Sequence, residues 1–493
     1  MSYQTLHSCA CRHPEKTAVI YHDIAISYAA LVNSIDTAIT EFERQQLPEH
    51  CTVAVVVNNL LDCWILVFAL QALGFTTVSA RSLAVIDALE LGGVTTLVTT
   101  DAERDTLNLE KPLTGSEGVF SIPTPSMHMD ASAVVQPLRQ NAKFGHHIVY
   151  TSGTTGNYKK ILWGGPLQLQ RNAERAQLYP LGGSETVYHG TDFGLWTAAG
   201  FRTPLVVWHL GGCVIFDQRP QWPVFFLQSP VTHTTLIPDK LHQLLDYVRG
   251  SAAAERAGDF ELMATGGFVS RALAQEILHR LTRKLINAYG STEMNVRVME
   301  TAVDNLDELH WMIPSPARTV EVVDDAGNQT PVGAEGQLRV RCDELDCSFY
   351  LDDDYNTHRV FRDGYFYPGD MAVRRADGRI RVLGRSADVI NIRGIKHAVA
   401  PFEEAIQQRL GVDGVCLFSG IGAVGEEFVV IALEAAQWPE KSALDGVGRE
   451  FSQFEQVRFA WFQRFPRTQS GTSKTDRIAL RKLVFPGEDS ATE

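Results

Sequence analysis

The chain has 493 residues, 45% of them hydrophobic and 21% charged, which is the composition of a globular protein too long for one ordinary core. Its formal net charge of −14 argues against general binding to nucleic acid or to an anionic membrane surface, so phosphate would have to be bound at a local site. The eight cysteines are scattered without paired CxxC spacing, and the N-terminus has no basic stretch followed by an apolar core. These features predict a cytoplasmic protein of two or more domains with reduced thiols.

Apolar runs in the first 150 residues alternate between strand and helix patterns. The predicted strands are 16–21, 52–57, 76–79, 95–99 and 147–150. Helical spacing covers 62–73, and Ser27 is the predicted N-cap of an earlier helix. This alternation favours a mostly parallel sheet covered by helices. The apolar run 64–78 is too short and interrupted to predict a membrane span, and the polar stretch 110–143 is expected to cross the surface.

The stretch YTSGTTGNYKK, from Tyr150 to Lys160, follows the last of these strands and combines hydroxyls, glycines and two lysines. Gly153 and Gly156 would let backbone N–H groups approach an anion. The possible side-chain donors and charges are Thr151, Ser152, Thr154, Thr155, Lys159 and Lys160. The pattern is neither GxxxxGK[ST] nor GxGxxG. Taken alone, such a loop is more often a solvated turn than a phosphate site.

Two later strands also end in small polar loops. Helix patterns at 167–177, 239–248 and 270–281 alternate with strand patterns at 234–238, 260–264 and 285–289. The loops are Gly266-Gly267 and Tyr289-Gly290-Ser291-Thr292-Glu293. Ligands of open α/β sheets bind outside the carboxyl ends of strands, so both loops and 150–160 are predicted to share one crevice. Tyr289 could stack on a base, Thr292 could bond a phosphate and Glu293 could hold Mg²⁺. Singly, each has an ordinary alternative: a half-buried aromatic, a turn cap and a surface acid.

Together with four later motifs, these loops resemble the motif series of the adenylate-forming superfamily. That family contains acyl- and aryl-CoA synthetases, luciferases and nonribosomal peptide adenylation domains. The motifs, in chain order, are YTSGTTGNYKK (150–160), ATGG (264–267), NAYGSTEMN (287–295), YPGD (367–370), DGRIRVLGR (377–385), NIRGIK (391–396) and SKTDRIAL (473–480). The resemblance implies an α/β fold. It would have a large N-terminal domain of mostly parallel, helix-covered sheets (1–386) and a small mobile α+β C-terminal domain (387–493).

The resemblance also implies an activity. The protein would activate a small carboxylic acid with ATP and Mg²⁺, releasing pyrophosphate, and then transfer the acyl group from the adenylate to a thiol, releasing AMP. Such chemistry depends on positioning and charge neutralisation. The thiol would belong to coenzyme A or to a phosphopantetheine. The alternative is a stand-alone enzyme that loads an amino or carboxylic acid onto an acyl or peptidyl carrier protein. A nucleotide-binding regulator without turnover is a third hypothesis.

Each motif would contribute named residues to this chemistry, by the same resemblance. The 151–156 segment and Lys159 would hold the β- and γ-phosphates, while Gly266, Gly267, Tyr289 and Gly290 would bracket the adenine. Thr292 would contact the α-phosphate, Glu293 would coordinate Mg²⁺, and Asp370 with Arg385 would bind the ribose. Lys474 would neutralise the charge shared by the attacking carboxylate and the α-phosphate. Lys396 would approach the phosphates in the thioester-forming state.

Several departures from the family pattern leave points open. Tyr158 and Lys160 stand where proline and glycine are usual, so either Lys159 or Lys160 could carry the charge of the loop. The hinge pair is Ala387-Asp388 instead of two acidic residues. The acyl pocket is expected between 190–201 and the nucleotide loops. There Phe193, Trp196 and Phe201 would line an apolar slot for an aryl or aliphatic acid, or would only pack a helix against the sheet.

Overall fold

The protein is described by a computed structural model covering residues 3–49, 51–92, 94–105, 107, 118–129, 134–152, 158–179, 181–190, 193–250, 258–386, 389–392, 395–421, 427–450, 456–467 and 475–485. Over these residues the helices are α1 (Tyr3–Arg12), α2 (Tyr28–Gln45), α3 (Leu60–Leu73), α4 (Leu83–Ala88), α5 (Asp101–Arg104), α6 (Gln168–Leu178), α7 (Ala198–His209), α8 (Trp222–Gln228), α9 (Pro238–Gly250), α10 (Arg271–Arg280), α11 (Asp354–Val360), α12 (Ala400–Leu410), α13 (Lys441–Glu450) and α14 (Arg477–Val484).

The strands, over the same ranges, are β1 (Thr17–Tyr21), β2 (Ile24–Ser27), β3 (Thr52–Val56), β4 (Thr76–Ala80), β5 (Val94–Thr100), β6 (Gly118–Ile122), β7 (His146–Ser152), β8 (Tyr158–Gly164), β9 (Val187–His189), β10 (Cys213–Phe216), β11 (His233–Leu236), β12 (Glu261–Ala264), β13 (Lys284–Tyr289), β14 (Met299–Ala302), β15 (Ile313–Pro314), β16 (Val320–Val323), β17 (Glu335–Arg341), β18 (Phe361–Arg362), β19 (Tyr365–Phe366), β20 (Asp370–Arg374), β21 (Ile380–Arg385), β22 (Val389–Ile392), β23 (Ile395–Ala398), β24 (Gly414–Ile421), β25 (Glu427–Glu434) and β26 (Val457–Phe462).

Two large sheets enclose the main apolar core. One has the order β6-β5-β3-β4-β7-β8 and is parallel except for β8, which runs antiparallel to β7. The other has the order β15-β14-β13-β12-β11-β9-β10-β1-β2, with its central strands parallel. Strands such as β3, Thr-Val-Ala-Val-Val, are buried on both faces because β-branched residues cover both sides of the pleat. The predicted mostly parallel, helix-covered sheet is confirmed.

Local capping explains where the predicted helices begin. The Ser27 hydroxyl accepts a hydrogen bond from the Ala30 amide, and the Ser270 hydroxyl accepts one from the Leu273 amide, both at 3.2 Å. Each serine satisfies an amide that the first helical turn leaves unpaired. The apolar run 64–78 forms α3, a turn and β4, as expected. Among the described helices, none is long and apolar enough to cross a membrane.

The rest of the chain forms smaller sheets. A third sheet has the order β18-β19-β17-β20-β21, with β16 on the other side of β17. The C-terminal part has the β22-β23 hairpin and the sheet β24-β25-β26, whose strands pack with α12 and α13 around a separate apolar cluster. This is the small α+β part that was expected. The boundary at 386/387 stays a prediction, because 387 and 388, including the hinge pair Ala387-Asp388, lie outside the described residues.

Two strands differ from the sequence-based expectations. The stretch 110–143 contains β6, which pairs parallel with β5 at the sheet edge, whereas a surface crossing was predicted. The five residues of β6 are mostly half-buried and follow a polar stretch, so the sequence contains no long apolar run that would predict a strand there. The second is β8: Lys159 and Lys160 lie in a strand paired with Thr151 and Tyr150, and not in a loop.

Candidate functional site

The loops after β12 and β13 lie side by side, because these neighbouring strands are parallel and end at the same edge. The Thr265 hydroxyl donates to the Ala288 carbonyl at 3.0 Å and ties the two strand ends together. Gly266 has a φ of +75°, and a Cβ there would lie 3.1 Å from Ile237. Glycine is therefore required at that turn. A Cβ at Gly290 would meet nothing within 4 Å, so the space around this glycine would admit a side chain.

Three of the predicted nucleotide residues meet beside these loops. The Tyr289 hydroxyl donates a hydrogen bond to the Asp370 carboxylate. The Arg385 Nε atom lies 3.3 Å from the other Asp370 oxygen, since β20 and β21 place these two residues opposite each other. Burial and the Asp370 carboxylate both raise the pKa of Tyr289, so the phenol stays a neutral donor. The result is a buried carboxylate flanked by a phenol and an exposed guanidinium.

Glu293 forms a second polar group on the same loop. The Ser291 hydroxyl donates to one carboxylate oxygen, and the Tyr350 hydroxyl donates to the other at 2.5 Å. Tyr350 is fully buried, and burial together with the Glu293 charge raises its pKa. The Lys159 ammonium lies 3.4 Å from the same hydroxyl and 5.0 Å from the centre of the Tyr350 ring. Glu293, Tyr350 and Lys159 thus form one connected cluster.

The two lysines of β8 face opposite sides of the strand, as successive residues must. Lys160 is only 6% exposed, and its ammonium donates to the Leu89 and Glu90 carbonyls at 3.0 and 3.4 Å. Lys159 points to the Glu293 side, where burial lowers the pKa of its ammonium while Glu293 partly opposes that shift. Of the two lysines, Lys159 is the one on the side of the candidate site.

The aromatic residues of the expected acyl slot are placed differently from one another. Phe201 is 1% exposed and stacks between Trp64 and His147, with ring centres 5.8 and 4.6 Å away. It packs a helix against the sheet, which is the second of the two roles expected for these aromatics, and its part in a substrate slot stays a prediction. Trp196 and Phe193 are also buried. In contrast to Phe201, which contacts aromatic rings, Trp196 has a cation beside it: the Arg81 guanidinium lies 5.1 Å from the centre of its ring.

The remaining predicted site residues are only partly described by the structure. Gly153, Thr154, Thr155, Gly156 and Lys474 lie outside the described residues. Ser152 and Lys396 are described only through their backbones, at the end of β7 and within β23. Thr151 in β7 and Thr292 in the loop after β13 are partly exposed. Gly267 lies directly after Gly266, where a Cβ would come within 3.0 Å of Pro238.

Tyr350 is a functional candidate that the sequence did not reveal. It lies in an irregular segment that runs along the outer edge of β8, where the Leu351 amide donates to the Lys160 carbonyl at 2.9 Å. No motif surrounds it, and its partner Glu293 is 57 residues earlier in the chain. Only the tertiary structure brings this phenol to the carboxylate.

The carboxylate oxygens of Glu293 fit a magnesium ion that is bound together with a polyphosphate. Its carboxylate is buried, and each oxygen accepts one described hydrogen bond, which leaves lone pairs for a cation. Mg²⁺ is usually held by one or two carboxylates plus phosphate oxygens and water. The part of the chain that the structure describes contains no group of three His, Cys, Asp or Glu side chains that could hold a metal by itself.

Parallel strands that end in small polar loops, with a carboxylate and a guanidinium meeting beside them, define an α/β protein with a nucleotide-type site. The chain belongs to the AMP-binding enzyme family, whose sequence model matches residues 6–345, more than half of its length. Membership in this family confirms the predicted adenylate-forming resemblance.

Curated relatives of this family match parts of the chain. The mitochondrial acyl-coenzyme A synthetase ACSM4 of Homo sapiens is 27% identical over 370 residues, which are 69% of this chain and 61% of that protein. Pseudomonine synthase PmsE of Pseudomonas entomophila is 27% identical over 231 residues, 45% of this chain and 36% of that protein. The chain thus spans less than two thirds of the length of either relative.

Solved structures share the fold across nearly the whole chain. O-succinylbenzoate coenzyme A synthetase MenE from Bacillus subtilis, in complex with AMP, has a TM-score of 0.77 at 18% identity and covers 98% of both chains. The amide bond synthetase McbA from Marinactinospora thermotolerans has a TM-score of 0.79 at 19% identity, over 98% of this chain and 99% of that one. These similarities confirm the α/β fold with a large N-terminal and a small C-terminal part.

Proposed function

We propose that the protein uses ATP to activate a small carboxylic acid as an acyl-adenylate and then transfers the acyl group to a thiol. The observation that carries the proposal is the presence of two polar groups beside the end of β13: Asp370 with Tyr289 and Arg385, and Glu293 with Tyr350 and Lys159. Membership in the AMP-binding enzyme family supports it.

The first half-reaction forms one bond and breaks one bond at the α-phosphorus. A carboxylate oxygen of the acid attacks that phosphorus, and pyrophosphate leaves with its electron pair, so no proton is transferred. Asp370 would accept hydrogen bonds from the ribose hydroxyls, with Arg385 and Tyr289 holding its orientation. Lys159 and the 151–156 segment would hold the β- and γ-phosphates, while Thr292 would contact the α-phosphate.

Glu293 would hold Mg²⁺, which when bound neutralises phosphate charge. Lys474 would reach the carboxylate and the α-phosphate in this step, and Gly266, Gly267 and Gly290 would border the adenine beside Tyr289. In the second half-reaction the thiol sulfur attacks the acyl carbon, its proton goes to solvent, and AMP leaves. We propose that this step follows a rotation of residues 387–493 about Ala387-Asp388, with Lys396 approaching the phosphates.

The thiol acceptor is coenzyme A in our proposal, with a carrier-protein phosphopantetheine as the second candidate. The first is supported by the acyl-coenzyme A synthetase among the relatives, and the second by pseudomonine synthase and by a linear gramicidin synthase of Brevibacillus parabrevis. For the acid itself, the buried aromatics Phe193 and Trp196 favour an aryl or aliphatic substrate. We place the protein in the cytoplasm, as its scattered free thiols suggest.

The test is exchange of labelled pyrophosphate into ATP, measured with a panel of aryl, aliphatic and amino acids. We expect exchange that depends on one class of acid and falls at least about a hundredfold in Lys474→Ala. The matched control is Lys482→Ala, which replaces an exposed lysine of α14 and should keep the wild-type rate. Repeating the productive acid with coenzyme A and with a phosphopantetheinylated carrier protein identifies the acceptor. Absence of exchange with every acid would favour a nucleotide-binding regulator.

A further inference from the structure

Three arginines surround one buried indole behind the loop that carries Thr292 and Glu293. Trp163, in β8, is fully buried, and the guanidinium carbons of Arg171, Arg202 and Arg175 lie 4.5, 5.1 and 5.7 Å from its ring centre. Burial lowers the pKa of all three. Placing three positive charges together in a protein interior is energetically unfavourable, so the cluster must have a function that compensates for this loss of stability.

The three guanidinium groups donate mainly to backbone carbonyls, but not to the same ones. Arg202 bonds the carbonyls of Ser291, Thr292 and Met294, the first two at 3.2 and 3.3 Å. Arg175 bonds the Asn295 carbonyl at 2.7 Å. The Arg171 bonds go elsewhere, to the carbonyls of Leu345 at 2.9 Å and Gly164 at 3.2 Å.

The consequence for the loop follows from the planarity of the peptide bond. In a trans peptide the carbonyl of one residue points opposite to the N–H of the next. When Arg202 draws the carbonyls of Ser291, Thr292 and Met294 to itself, the amides of the following residues, Thr292, Glu293 and Asn295, must point away from α7. The Asn295 amide does so, donating to Asp346 at 2.7 Å. The amides of Thr292 and Glu293 are held the same way by one planar guanidinium.

We propose that Arg202 is a positioning residue for adenylation, which fixes the backbone of the 291–294 segment so that Thr292 and Glu293 meet the α-phosphate and Mg²⁺ of bound MgATP. The inference rests on the proposed function of the site. It adds a residue outside every motif and gives the indole of Trp163 a role, because this ring contacts the Arg202 guanidinium.

Lysine at this position is the informative variant. An ammonium keeps the positive charge but cannot reach three carbonyls with a fixed planar fork. We expect Arg202→Lys to weaken MgATP binding and to lower kcat/KM for MgATP by about tenfold to a hundredfold, because charge-assisted hydrogen bonds to the loop are lost. KM for the acid should change by less than about twofold, since the acid does not depend on the orientation of these amides.

Arg171→Lys is the matched control. This arginine contacts the same indole and also donates to carbonyls, but none of them belongs to residues 291–295. Both variants are measured by pyrophosphate exchange, by direct MgATP binding and by thermal melting, with Arg202→Gln as a second variant if Arg202→Lys does not fold. The expected result is a loss of MgATP binding specific to the Arg202 variants at melting temperatures matched to Arg171→Lys.

Two outcomes separate this inference from the proposed function. Equal effects of the Arg171 and Arg202 variants, or a raised KM for the acid as large as that for MgATP, would mean that the cluster serves stability alone and would overturn the positioning role. If the wild type binds MgATP but exchanges no pyrophosphate, the proposed function fails. The Arg202 variants would then still show weaker MgATP binding than Arg171→Lys if the positioning role is right.

Discussion

The two halves of the candidate site are built by different forces. In the nucleotide half, made of the loops after β12 and β13 with Asp370, Glu293 and their partners, polar side chains from separate elements meet through hydrogen bonds. In the acyl half, made of residues 193–201 and the start of α7, aromatic side chains pack against one another and against the sheet. The first arrangement suits a ligand of fixed chemistry, whereas around Phe201 the second packs as a core does.

This difference separates activity from stability. Charged groups gathered at a site serve to bind a ligand. Their proximity to one another lowers the stability of the free protein, and ligand binding compensates for that loss. Buried aromatic rings contribute mainly by burial and close packing. Substitutions in the nucleotide half should therefore change kinetics at nearly constant stability, and substitutions at the back of the acyl half should do the reverse.

The largest effect is expected for Glu293→Gln. The substitution keeps the shape and an acceptor for Tyr350 but removes the charge that would hold Mg²⁺, so pyrophosphate exchange should fall by about a hundredfold to a thousandfold. Titrating Mg²⁺ should show a raised requirement in the variant. Glu308→Gln, which removes a carboxylate paired with Arg375 at the surface, is the control and should keep full activity. An unchanged Mg²⁺ dependence in Glu293→Gln would show that the ion is held elsewhere.

Asp370→Asn should have the next largest effect. The carboxylate would accept hydrogen bonds from the ribose, and bonds to a charged acceptor are worth about 1.5 to 3 kcal/mol each, so KM for ATP should rise by about tenfold to a hundredfold. The decisive measurement is the ratio of KM values for ATP and for its 2′-deoxy and 3′-deoxy forms. The wild type should discriminate against the deoxy forms and the variant should not. Equal discrimination in both proteins would remove Asp370 from the ribose contact.

The same contrast explains what the sequence could and could not predict. The β-branched runs marked β3 and β7, and the apolar run from Leu285 to Tyr289 marked β13, because buried parallel strands need such residues. The glycine and hydroxyl loops marked the nucleotide half because each motif is contained within a few consecutive residues. Tyr350 and Arg202 were missed because their partners lie 57 and 89 or more residues away and no local pattern surrounds either residue.

The placement of the two lysines and of Phe201 depended on tertiary pairing. Which lysine faces Glu293 follows from the register of β8 against β7, and the pattern YKK does not reveal that Tyr158 to Gly164 is a strand. An aromatic residue at the start of a helix is compatible with a pocket wall or with a core. The sequence does not show that Phe201 packs against Trp64 and His147, because these two residues belong to other elements of the chain.

Phe201→Leu tests the acyl half. The change removes ring contacts with Trp64 and His147 but keeps an apolar side chain, so the free energy of unfolding should fall by about 1 to 2 kcal/mol. KM for the acid and for MgATP should stay within about twofold of the wild type. Denaturant unfolding and exchange kinetics of the same preparations check this. A raised KM for the acid at unchanged stability would place Phe201 in the substrate slot and contradict the comparison between the two halves.

The smallest effect concerns His147, which is buried beneath Phe201. Its Nε2 and Nδ1 atoms lie 3.2 Å from the Leu195 carbonyl and 2.8 Å from the Thr77 hydroxyl, which a neutral ring satisfies with one donor and one acceptor. Burial lowers the pKa of His147 to about 3. Below the ordinary histidine pKa of about 6.5, His147 therefore binds a proton in the unfolded chain but stays neutral in the folded protein.

Stability should thus be lost as the pH falls from about 6.5 towards 3, and the His147 contribution between pH 7 and pH 6 should be about 0.7 kcal/mol. His147→Gln removes this titration, so its unfolding free energy should depend less steeply on pH than that of the wild type over this interval. His279→Gln, at an exposed histidine of α10, is the control for replacing a histidine by glutamine. If His147→Gln keeps the wild-type slope, the ring accepts a proton in the folded state. The back of the acyl half would then be open to water, which is the property that a substrate slot requires and a packed core does not have.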